Sequence, residues 1–207
     1  MAKILDYKCK LCRRESQKLF LKAERCYTAK CPLEKKGAVT PGFHGQRGRF
    51  RLSGFGQQLR EKQKLKRIYS VNERQLRRYV DLATRKPGKA GENLIQILEL
   101  RLDNVIYRLG LAPSRSVARQ LVSHRQVQVD GRKVSIPSYL LKPGQIVSLT
   151  AKGLEIDSVK KILANKDYRP PAWLQKKAVI GKIERLPERE GVDTEVDEKT
   201  IIEFYSR

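Results

Sequence analysis

The sequence predicts a multidomain α+β protein, and three observations carry that prediction. Four cysteines lie within the first 31 of its 207 residues, which indicates a cysteine-rich N-terminal arm. Apolar residues then recur at helical spacing through residues 57–85 and 92–123, which indicates a mainly helical middle. From Val127 onward the apolar period changes to two, so a small antiparallel sheet is expected to follow two or three helices.

Two close pairs of cysteines define the arm: Cys9 with Cys12, and Cys26 with Cys31. The spacing C-x2-C-x13-C-x4-C is typical of a tetrahedral thiolate site, and zinc is the first metal that it predicts. A four-cysteine iron–sulfur cluster would use the same ligands. Two disulfides would need an oxidising compartment, to which nothing in the sequence points, and unrelated free thiols are the remaining alternative. Because four protein thiolates leave no open coordination position, the metal would be structural.

Residues 41–56 are rich in glycine and arginine and are not expected to form a regular element. Arg47, Arg49 and Arg51 lie two residues apart there, with phenylalanines interleaved. Glycine lets a backbone approach phosphates closely, guanidinium groups match phosphate oxygens, and aromatic rings can stack on bases. The segment therefore predicts a contact with nucleic acid, and a loop that only packs on its own protein is the alternative.

Two helices are predicted next, over residues 57–69 and 73–85. Asn72 is the expected N-cap of the second, and Gln75 three residues later completes a capping box. Eleven basic residues face two acidic ones between residues 42 and 78, which is more than helix solubility requires. We interpret this excess as a phosphate-binding face, with a plain solvated face as the alternative. The candidate contacts on these helices are Lys62, Lys64, Lys66, Arg67 and Arg77.

A compact helix–helix–hairpin–strand unit is predicted to follow. Residues 92–109 form its first helix, which Gly110 ends. Ser114 is a good N-cap for the second helix. The alternating segment contains Asp130–Gly131, a strong signal for a two-residue hairpin, and a strand is expected over Gln145–Thr150.

This unit also carries candidate anion contacts. Arg115 and Arg119 lie four residues apart and therefore share one face of the second helix. His124 and Arg125 follow at its end, and His124 is included only because its neighbours are basic. The Ser114 hydroxyl and the amides of the helix N-terminus make a further place where an anion can bind.

Three shorter patterns predict further elements. A short helix is expected around residues 17–25, and another over residues 154–166. Residues 201–207 alternate like a strand and are apolar enough to dock on an earlier domain.

The charge balance indicates a polyanionic partner. The chain has 45 Lys and Arg against 22 Asp and Glu, a net charge of +23, and such a chain repels itself unless a polyanion compensates. No long apolar stretch, lipidation signal or amphipathic anchor indicates a membrane, and the N-terminus is too polar for a signal peptide. A cytosolic nucleic-acid binder is therefore expected. Residues 188–207 carry seven acids against three bases, which fits a protein-binding surface, a neutralising neighbour within the fold or a solvated loop.

Three stretches resemble the small RNA-binding domain named after small-subunit ribosomal protein four: Arg101–Gly110, Ser114–Val122 and Val127–Arg132. Arg60–Tyr69 and Ile202–Arg207 resemble segments of the bacterial-type family of that ribosomal protein, and the four cysteines resemble the zinc-binding arm that some members carry. The resemblance runs from end to end. Ser70 and Arg125 depart from it, because members usually have glycine at both positions.

The resemblance implies three domains. Residues 1–41 would form the metal-binding arm, residues 42–97 with 166–207 a helical rRNA-binding domain, and residues 98–165 an inserted RNA-binding domain. The two basic domains would clamp a folded RNA by its phosphates and 2′-hydroxyls instead of reading a sequence.

The resemblance further implies a structural constituent of the small (30S) ribosomal subunit in the cytoplasm. Such proteins are primary binders of a multi-helix junction in the 5′ domain of 16S rRNA, and they nucleate assembly of the subunit body. The other implied partners are ribosomal protein five, whose contact bears on translational accuracy, further small-subunit proteins, and messenger RNA near the channel where it enters. Some members repress translation of their own operon. No membrane, small-molecule substrate or catalysis is expected.

Two other functions share some of these features. An RNA-modifying or tRNA-charging enzyme can carry the same small domain, but it needs a catalytic or nucleotide-binding domain. Neither flank of residues 98–165 shows a phosphate-binding glycine loop or an acid–base constellation. A zinc-finger DNA regulator would need a recognition helix with base-reading side chains, and the cysteine arm offers mostly lysines suited to phosphates.

Overall fold

The computed structural model describes residues 7–43, 45, 52–165 and 168–206. The chain divides into two compact units. We call residues 1–91 with 195–207 the N-terminal unit, and residues 92–194 the central unit.

The described elements are mainly helices, with the strands in the central unit. The helices in chain order are α1 (Lys8–Glu15), α2 (Pro32–Lys36), α3 (Gly54–Ile68), α4 (Glu73–Arg85), α5 (Ala90–Glu99), α6 (Leu102–Arg108), α7 (Arg115–Ser123), α8 (Ala151–Leu154), α9 (Asp157–Leu163) and α10 (Glu198–Tyr205). The strands are β1 (Val127–Val129), β2 (Arg132–Lys133), β3 (Ile146–Leu149), β4 (Leu174–Lys177) and β5 (Ile180–Ile183).

The helix of the N-terminal arm lies earlier than predicted. α1 contains the first cysteine pair, whereas the stretch predicted as helical around residues 17–25 contributes only to a 3₁₀ turn over Ala23–Tyr27. Ser16, Phe20 and Ala23 have φ of 59°, 50° and 50°. The prediction was wrong because a right-handed helix needs negative φ at every residue.

The predicted pair of basic helices is confirmed. α3 starts three residues earlier than predicted, because the Ser53 hydroxyl accepts a hydrogen bond from the Gly56 amide at 3.2 Å and caps the helix. α4 begins at the predicted capping box. The Asn72 side chain accepts the Gln75 amide at 2.7 Å, and the Gln75 side chain accepts the Asn72 amide at 3.1 Å.

The strand predicted at the end of the chain is wrong, because the segment forms the helix α10. The Asp197 carboxylate accepts hydrogen bonds from the amides of Lys199 and Thr200 and starts the helix. The apolar residues of this short segment fit a helical period as well as an alternating one. Ile201 is fully buried and α10 packs along α3, so the predicted docking on an earlier domain is confirmed.

A single helix is predicted across α5 and α6, but the structure interrupts it at Arg101, whose backbone is extended with φ −65° and ψ 138°. Backbone hydrogen bonds from elsewhere hold both neighbours of Arg101. The Leu141 amide donates to the Leu100 carbonyl at 2.9 Å, and the Leu102 amide donates to the Tyr139 carbonyl at 2.8 Å. These tertiary bonds replace intrahelical ones, although the apolar spacing continues across the break.

The central unit contains a five-stranded antiparallel sheet in the order β2–β1–β3–β5–β4. The predicted hairpin at Asp130–Gly131 joins β1 to β2. Both turn residues have positive φ, 49° and 77°, as the favoured two-residue hairpin turn requires. β3 lies within the strand predicted over Gln145–Thr150 and pairs with both β1 and β5.

The structure corrects the predicted division of the chain. Residues 166–207 are predicted to belong to the helical domain, yet β5 pairs with β3 through Val147 and Gly181. Residues 168–194 therefore belong to the central unit, and the N-terminal unit resumes only at residue 195. The sequence did not predict the two extra strands because each has only four residues, and β4, with two lysines, lacks a clear apolar alternation.

One hydrophobic core holds the central unit together. Its fully buried members include Leu102, Ile106, Leu109, Val127, Val147 and Ile183. Trp173, which is 2% exposed, closes the same core. The helix predicted over residues 154–166 is shorter than expected and corresponds to α9.

Candidate nucleic-acid interface

One face of α4 is basic and exposed. The opposite face buries Leu76 and Ala83 completely in the core of the N-terminal unit. The exposed arginines of α4 are Arg74, Arg77, Arg78 and Arg85, and none of them forms a salt bridge with another described residue. These guanidinium groups are therefore available to phosphate oxygens, and the predicted contact Arg77 lies among them.

The basic residues of α3 differ from those of α4, because acidic side chains of the protein neutralise several of them. Lys62 is only 6% exposed, and its ammonium donates to a Glu73 carboxylate oxygen at 2.7 Å. The same ammonium lies 4.4 Å from the centre of the Phe204 ring. Lys66 donates to the other Glu73 oxygen at 3.1 Å. Lys62 and Lys66 thus share their charge with a protein carboxylate, and their predicted contacts with RNA stay predictions.

Glu73 joins three helices of the N-terminal unit. It belongs to α4, its lysine partners belong to α3, and the hydroxyl of Tyr205 on α10 donates to it at 2.7 Å. Partial burial raises the pKa of Glu73, but the hydrogen bonds from Lys62, Tyr205 and Lys66 outweigh burial and lower that pKa to about 2.

Glu15 neutralises two further bases of α3. Its side chain is 3% exposed, contacts Arg67, and lies 3.3 Å from Arg60. Burial raises the pKa of Glu15, and the two arginines oppose that rise. Lys64 pairs with Glu61 at 2.8 Å. The predicted contacts Arg67 and Lys64 therefore have acidic partners, one of them 52 residues away along the chain, which local counting of charges cannot detect.

The glycine–arginine loop stays a prediction. Arg47, Arg49 and Arg51 lie outside the described residues. The described residues on either side of them line an open groove of the N-terminal unit, together with Arg14 and Arg60.

In the central unit, Arg115 is held in place by side chains that the sequence did not single out. Ser114 caps α7 by accepting the Val117 amide at 3.4 Å, which places Arg115 at the first helical position. The Nε of Arg115 donates to the Asn104 side-chain oxygen at 2.7 Å. Its guanidinium lies 4.5 Å from the centre of the Tyr107 ring.

Arg119, one turn further along α7, approaches a buried ion pair. Its guanidinium lies 3.9 Å from Asp103, which accepts two hydrogen bonds from Arg101 at 3.1 and 2.7 Å. Arg101 is 0% exposed and Asp103 is 3% exposed. The carboxylate therefore attracts the Arg119 charge towards its own side of α7.

A second buried carboxylate supports Arg115 from behind. Glu99 is completely buried and accepts two hydrogen bonds from Arg108, at 3.0 and 2.9 Å. It also accepts a hydrogen bond from the side-chain amide of Asn104 at 2.8 Å. Asn104 is the residue whose side-chain oxygen accepts the hydrogen bond from Arg115. In the sequence, the stretch Arg101–Asn104 indicates only the family resemblance. In the structure it forms the support of the predicted contacts.

His124 and Arg125 are exposed at the end of α7 and line a groove of the central unit. Lys133 and Lys152 line the same groove, and the sequence did not select them because strand pairing brings them there. Arg125 has φ 58°, so it adopts the left-handed conformation for which glycine is preferred. Ser70, the other departure from the family pattern, has φ 52°.

The four cysteines of the arm line one small cavity and are free thiols. The Lys22 amide donates to the Cys26 sulfur at 3.2 Å. Burial raises the pKa of the Cys12 thiol, and charge on the other three cysteines raises it further. Among the described residues no group of three or more His, Cys, Asp or Glu side chains is positioned to hold a metal as it stands. The cysteines thus share a site whose side chains would have to converge around an ion.

No helix in the described parts of the chain has the length and apolar character needed to cross a membrane.

Comparison with known proteins defines the class. Residues 3–99 match the ribosomal protein S4/S9 N-terminal domain, and residues 100–147 match the S4 domain. The chain is 50% identical to a protein of Pelotomaculum thermopropionicum, 51% to one of Thermodesulfovibrio yellowstonii and 50% to one of Dictyoglomus turgidum, each over 210 aligned positions that span both chains completely. All three relatives are named small ribosomal subunit protein uS4. The chain belongs to the uS4 family of small ribosomal subunit proteins.

Proposed function

We propose that this protein is a structural, non-catalytic component of the small ribosomal subunit in the cytoplasm. In this role it binds 16S rRNA as a primary binder at a multi-helix junction of the 5′ domain. The relatives that match it over its full length carry the name of a small-subunit protein. Each compact unit presents its own arginine-rich surface, as a protein that clamps folded RNA requires.

The observation that carries the proposal is the contrast between the neutralised basic residues of α3 and the open arginines of α4. Glu15 and Glu73 neutralise bases of α3, so that helix contributes to the protein's own packing. The arginines of α4 have no acidic partner among the described residues. Arg115 and Arg119 are partly exposed and held by buried side chains, which reduces the entropy that they would lose on gripping phosphates.

Binding should depend on salt and RNA shape more than on sequence. Each phosphate that the protein neutralises releases counterions, so the logarithm of the affinity should fall linearly with the logarithm of the salt concentration. The test is a titration of the purified protein with a 16S 5′-domain fragment and with duplex DNA of equal length. Equal affinity for the two would refute recognition of folded rRNA, and absence from small subunits in a sucrose gradient would refute the ribosomal role.

The finer parts of the proposal are early assembly, partner contacts and regulation. We propose that the protein nucleates assembly of the 30S body and contacts ribosomal protein five, and through it contributes to accuracy. It would also lie near the channel where messenger RNA enters, and it can repress its own operon. The acids Glu188, Glu190 and Asp193 of the central unit are exposed and offer a surface for a basic protein neighbour. Cross-linking within purified subunits, followed by mass spectrometry, tests each contact.

We further propose that Cys9, Cys12, Cys26 and Cys31 hold a structural zinc ion. Their shared cavity, their free thiols and the amide bonded to Cys26 support this site. Zinc would cross-link the two cysteine pairs and stabilise the arm. Elemental analysis of purified protein should find one zinc per chain, whereas iron with visible absorption would indicate the iron–sulfur alternative.

A further inference from the structure

Four basic side chains meet in one groove at the carboxyl end of α7. His124 and Arg125 follow the helix directly, and Lys133 on β2 and Lys152 on α8 line the same groove. All four are exposed, and none forms a salt bridge with another described residue. Among the described residues that line the groove there is no Asp or Glu. The groove therefore concentrates positive charge from three separate parts of the central unit.

The dipole of α7 explains only part of this cluster. Cations at the carboxyl end of a helix are stabilised by its dipole, which accounts for the two basic residues that follow α7. Lys133 and Lys152 belong to other elements, which the fold brings to the same place. Gly153 permits the close approach of α8, because a Cβ there would lie 2.9 Å from the Gln126 carbonyl oxygen. Cations assembled in this way indicate an anionic ligand.

Arg125 adopts a backbone conformation that is costly for a residue with a side chain. Its φ of 58° lies in the left-handed region, which costs a residue with a Cβ more free energy than it costs glycine. The Arg125 amide donates to the Val122 carbonyl at 3.0 Å. The Gln126 amide donates to the Leu121 carbonyl at 2.9 Å, which completes a helix ending that favours glycine at the position of Arg125. The helix ending therefore gives no reason for an arginine, and a contact of its guanidinium outside the chain does.

Hydrogen bonds within the protein hold the wall of the groove. The Thr150 hydroxyl donates to the Gln126 side-chain oxygen at 2.7 Å, and the Thr150 amide donates to the Gln126 carbonyl at 3.0 Å. The Gln126 side-chain amide in turn donates to the His124 carbonyl at 3.3 Å. Because these bonds fix the turn that carries His124 and Arg125, the turn loses less entropy when a ligand binds.

The chemistry of the groove fits the backbone of RNA. None of its described lining residues is Phe, Tyr or Trp, so the groove offers no such ring for stacking on bases. Ammonium and guanidinium groups bind phosphate oxygens, and the Gln128 side chain in the same lining can bond to a 2′-hydroxyl. Nucleic acid carries a charge on every phosphate, whereas a protein segment would need several acids close together to match four cations.

The groove is separate from the predicted contacts at the start of α7. The helix has nine residues, so about 14 Å separate Arg115 at its first position from His124 after its last. This distance is several times the length of a single ion pair. A ligand phosphate in the groove therefore differs from one that Arg115 binds.

We propose that this groove binds the phosphate backbone of the rRNA at a second place in the central unit, through Arg125, Lys133 and Lys152. This inference rests on the proposed function, because it assumes that the protein binds rRNA. It also explains the left-handed backbone of Arg125, since the phosphate contact offsets the conformational cost in the complex. Stability of the free protein and affinity for RNA are therefore opposed at this one residue.

The first test compares full-length variants in binding to the 16S 5′-domain fragment. Lys133→Gln with Lys152→Gln should weaken binding roughly 4- to 25-fold, at about 2- to 5-fold for each lost ion pair. It should also reduce the salt slope by about 0.9 for each lost phosphate contact. The matched control is Lys160→Gln with Lys161→Gln, which removes the same charge from exposed lysines of α9 outside the groove. A loss no larger than that of the control would overturn the groove as an RNA site.

Arg125→Gly separates the contact from a purely structural role. This substitution should weaken binding about 2- to 5-fold although it raises the melting temperature, because it relieves the backbone and removes the guanidinium. A residue that only supported the fold would not lower affinity while raising stability. Affinity equal to that of the wild type would contradict the role given to Arg125.

A labelling experiment needs no substitution. Bound fragment should protect Lys133 and Lys152 from an amine-reactive reagent and leave Lys160 reactive, as read by mass spectrometry. Protection that appears only in assembled subunits, with a cross-link to an acidic protein segment, would assign the groove to a protein and refute RNA as its occupant. Failure of the wild type itself to bind the fragment would overturn the proposed function instead.

Discussion

Glu73 holds α3, α4 and α10 together, and replacing it with glutamine should destabilise the N-terminal unit. The hydrogen bonds from Lys62, Lys66 and Tyr205 lower the pKa of Glu73 from 4.5 to about 2, against the effect of partial burial. A shift of that size corresponds to about 3 kcal/mol. Because 46% of the Glu73 side chain is exposed, screening by water reduces the expected loss to about 1–2 kcal/mol.

The pH dependence of this loss has a definite sign. The folded-state pKa of Glu73 lies below its ordinary value, so its contribution is complete above pH 4.5. The contribution decreases as the pH falls from 4.5 to about 2. The difference between wild type and Glu73→Gln should therefore be constant from pH 7 to 5 and should disappear near pH 2.

Hydrogen exchange of the α4 and α10 peptides is a suitable assay, because Trp173, the single tryptophan, lies in the central unit. Lys62→Met combined with Glu73→Gln is the matched control. Removing the buried lysine together with the partly exposed carboxylate should recover part of the stability that Glu73→Gln alone loses, since no uncompensated ammonium then remains. Strictly additive losses, or a difference that persists at pH 2, would refute the role given to this carboxylate.

Three further predictions concern the central unit. Arg115→Glu with Arg119→Glu should weaken 16S 5′-domain binding at least about tenfold and reduce the salt slope by about 0.9 per lost phosphate contact, without unfolding; unchanged affinity at moderate salt would disprove the assignment. Glu99→Gln should cost about 3 kcal/mol in denaturant unfolding followed by Trp173 fluorescence, because it leaves a buried arginine without its carboxylate, and a loss below about 1 kcal/mol would contradict this. Arg125→Gly should raise stability by about 1 kcal/mol by relieving a left-handed φ of 58°, and a lower melting temperature would argue against strain there.

The elements that the sequence predicted correctly are those whose signals lie close together along the chain. The capping box at Asn72 and the hairpin at Asp130–Gly131 each depend on residues close in sequence, and both formed as predicted. The sequence did not predict the helix break at Arg101, because hydrogen bonds from residues about 40 positions away create it. The segment of α10 was predicted as a strand because so short a stretch fits the helical and the alternating apolar period equally well.

The predicted RNA contacts show the same difference between what local sequence indicates and what tertiary contacts decide. Counting bases along α3 and α4 found a positive region but could not tell open charges from neutralised ones. Lys62 and Arg77 look alike in the sequence, yet one is buried against Glu73 and the other is exposed. Glu15 reaches α3 from the arm, so only folding reveals that it neutralises Arg67.

The sequence by itself determined the α+β class, the family and the excess of positive charge, because composition, caps and turn residues act over short distances. The tertiary structure decided which of those charges remain available to RNA. It also decided that residues 168–194 complete the sheet of the central unit, because strand pairing and burial of carboxylates depend on parts of the chain that meet only after folding.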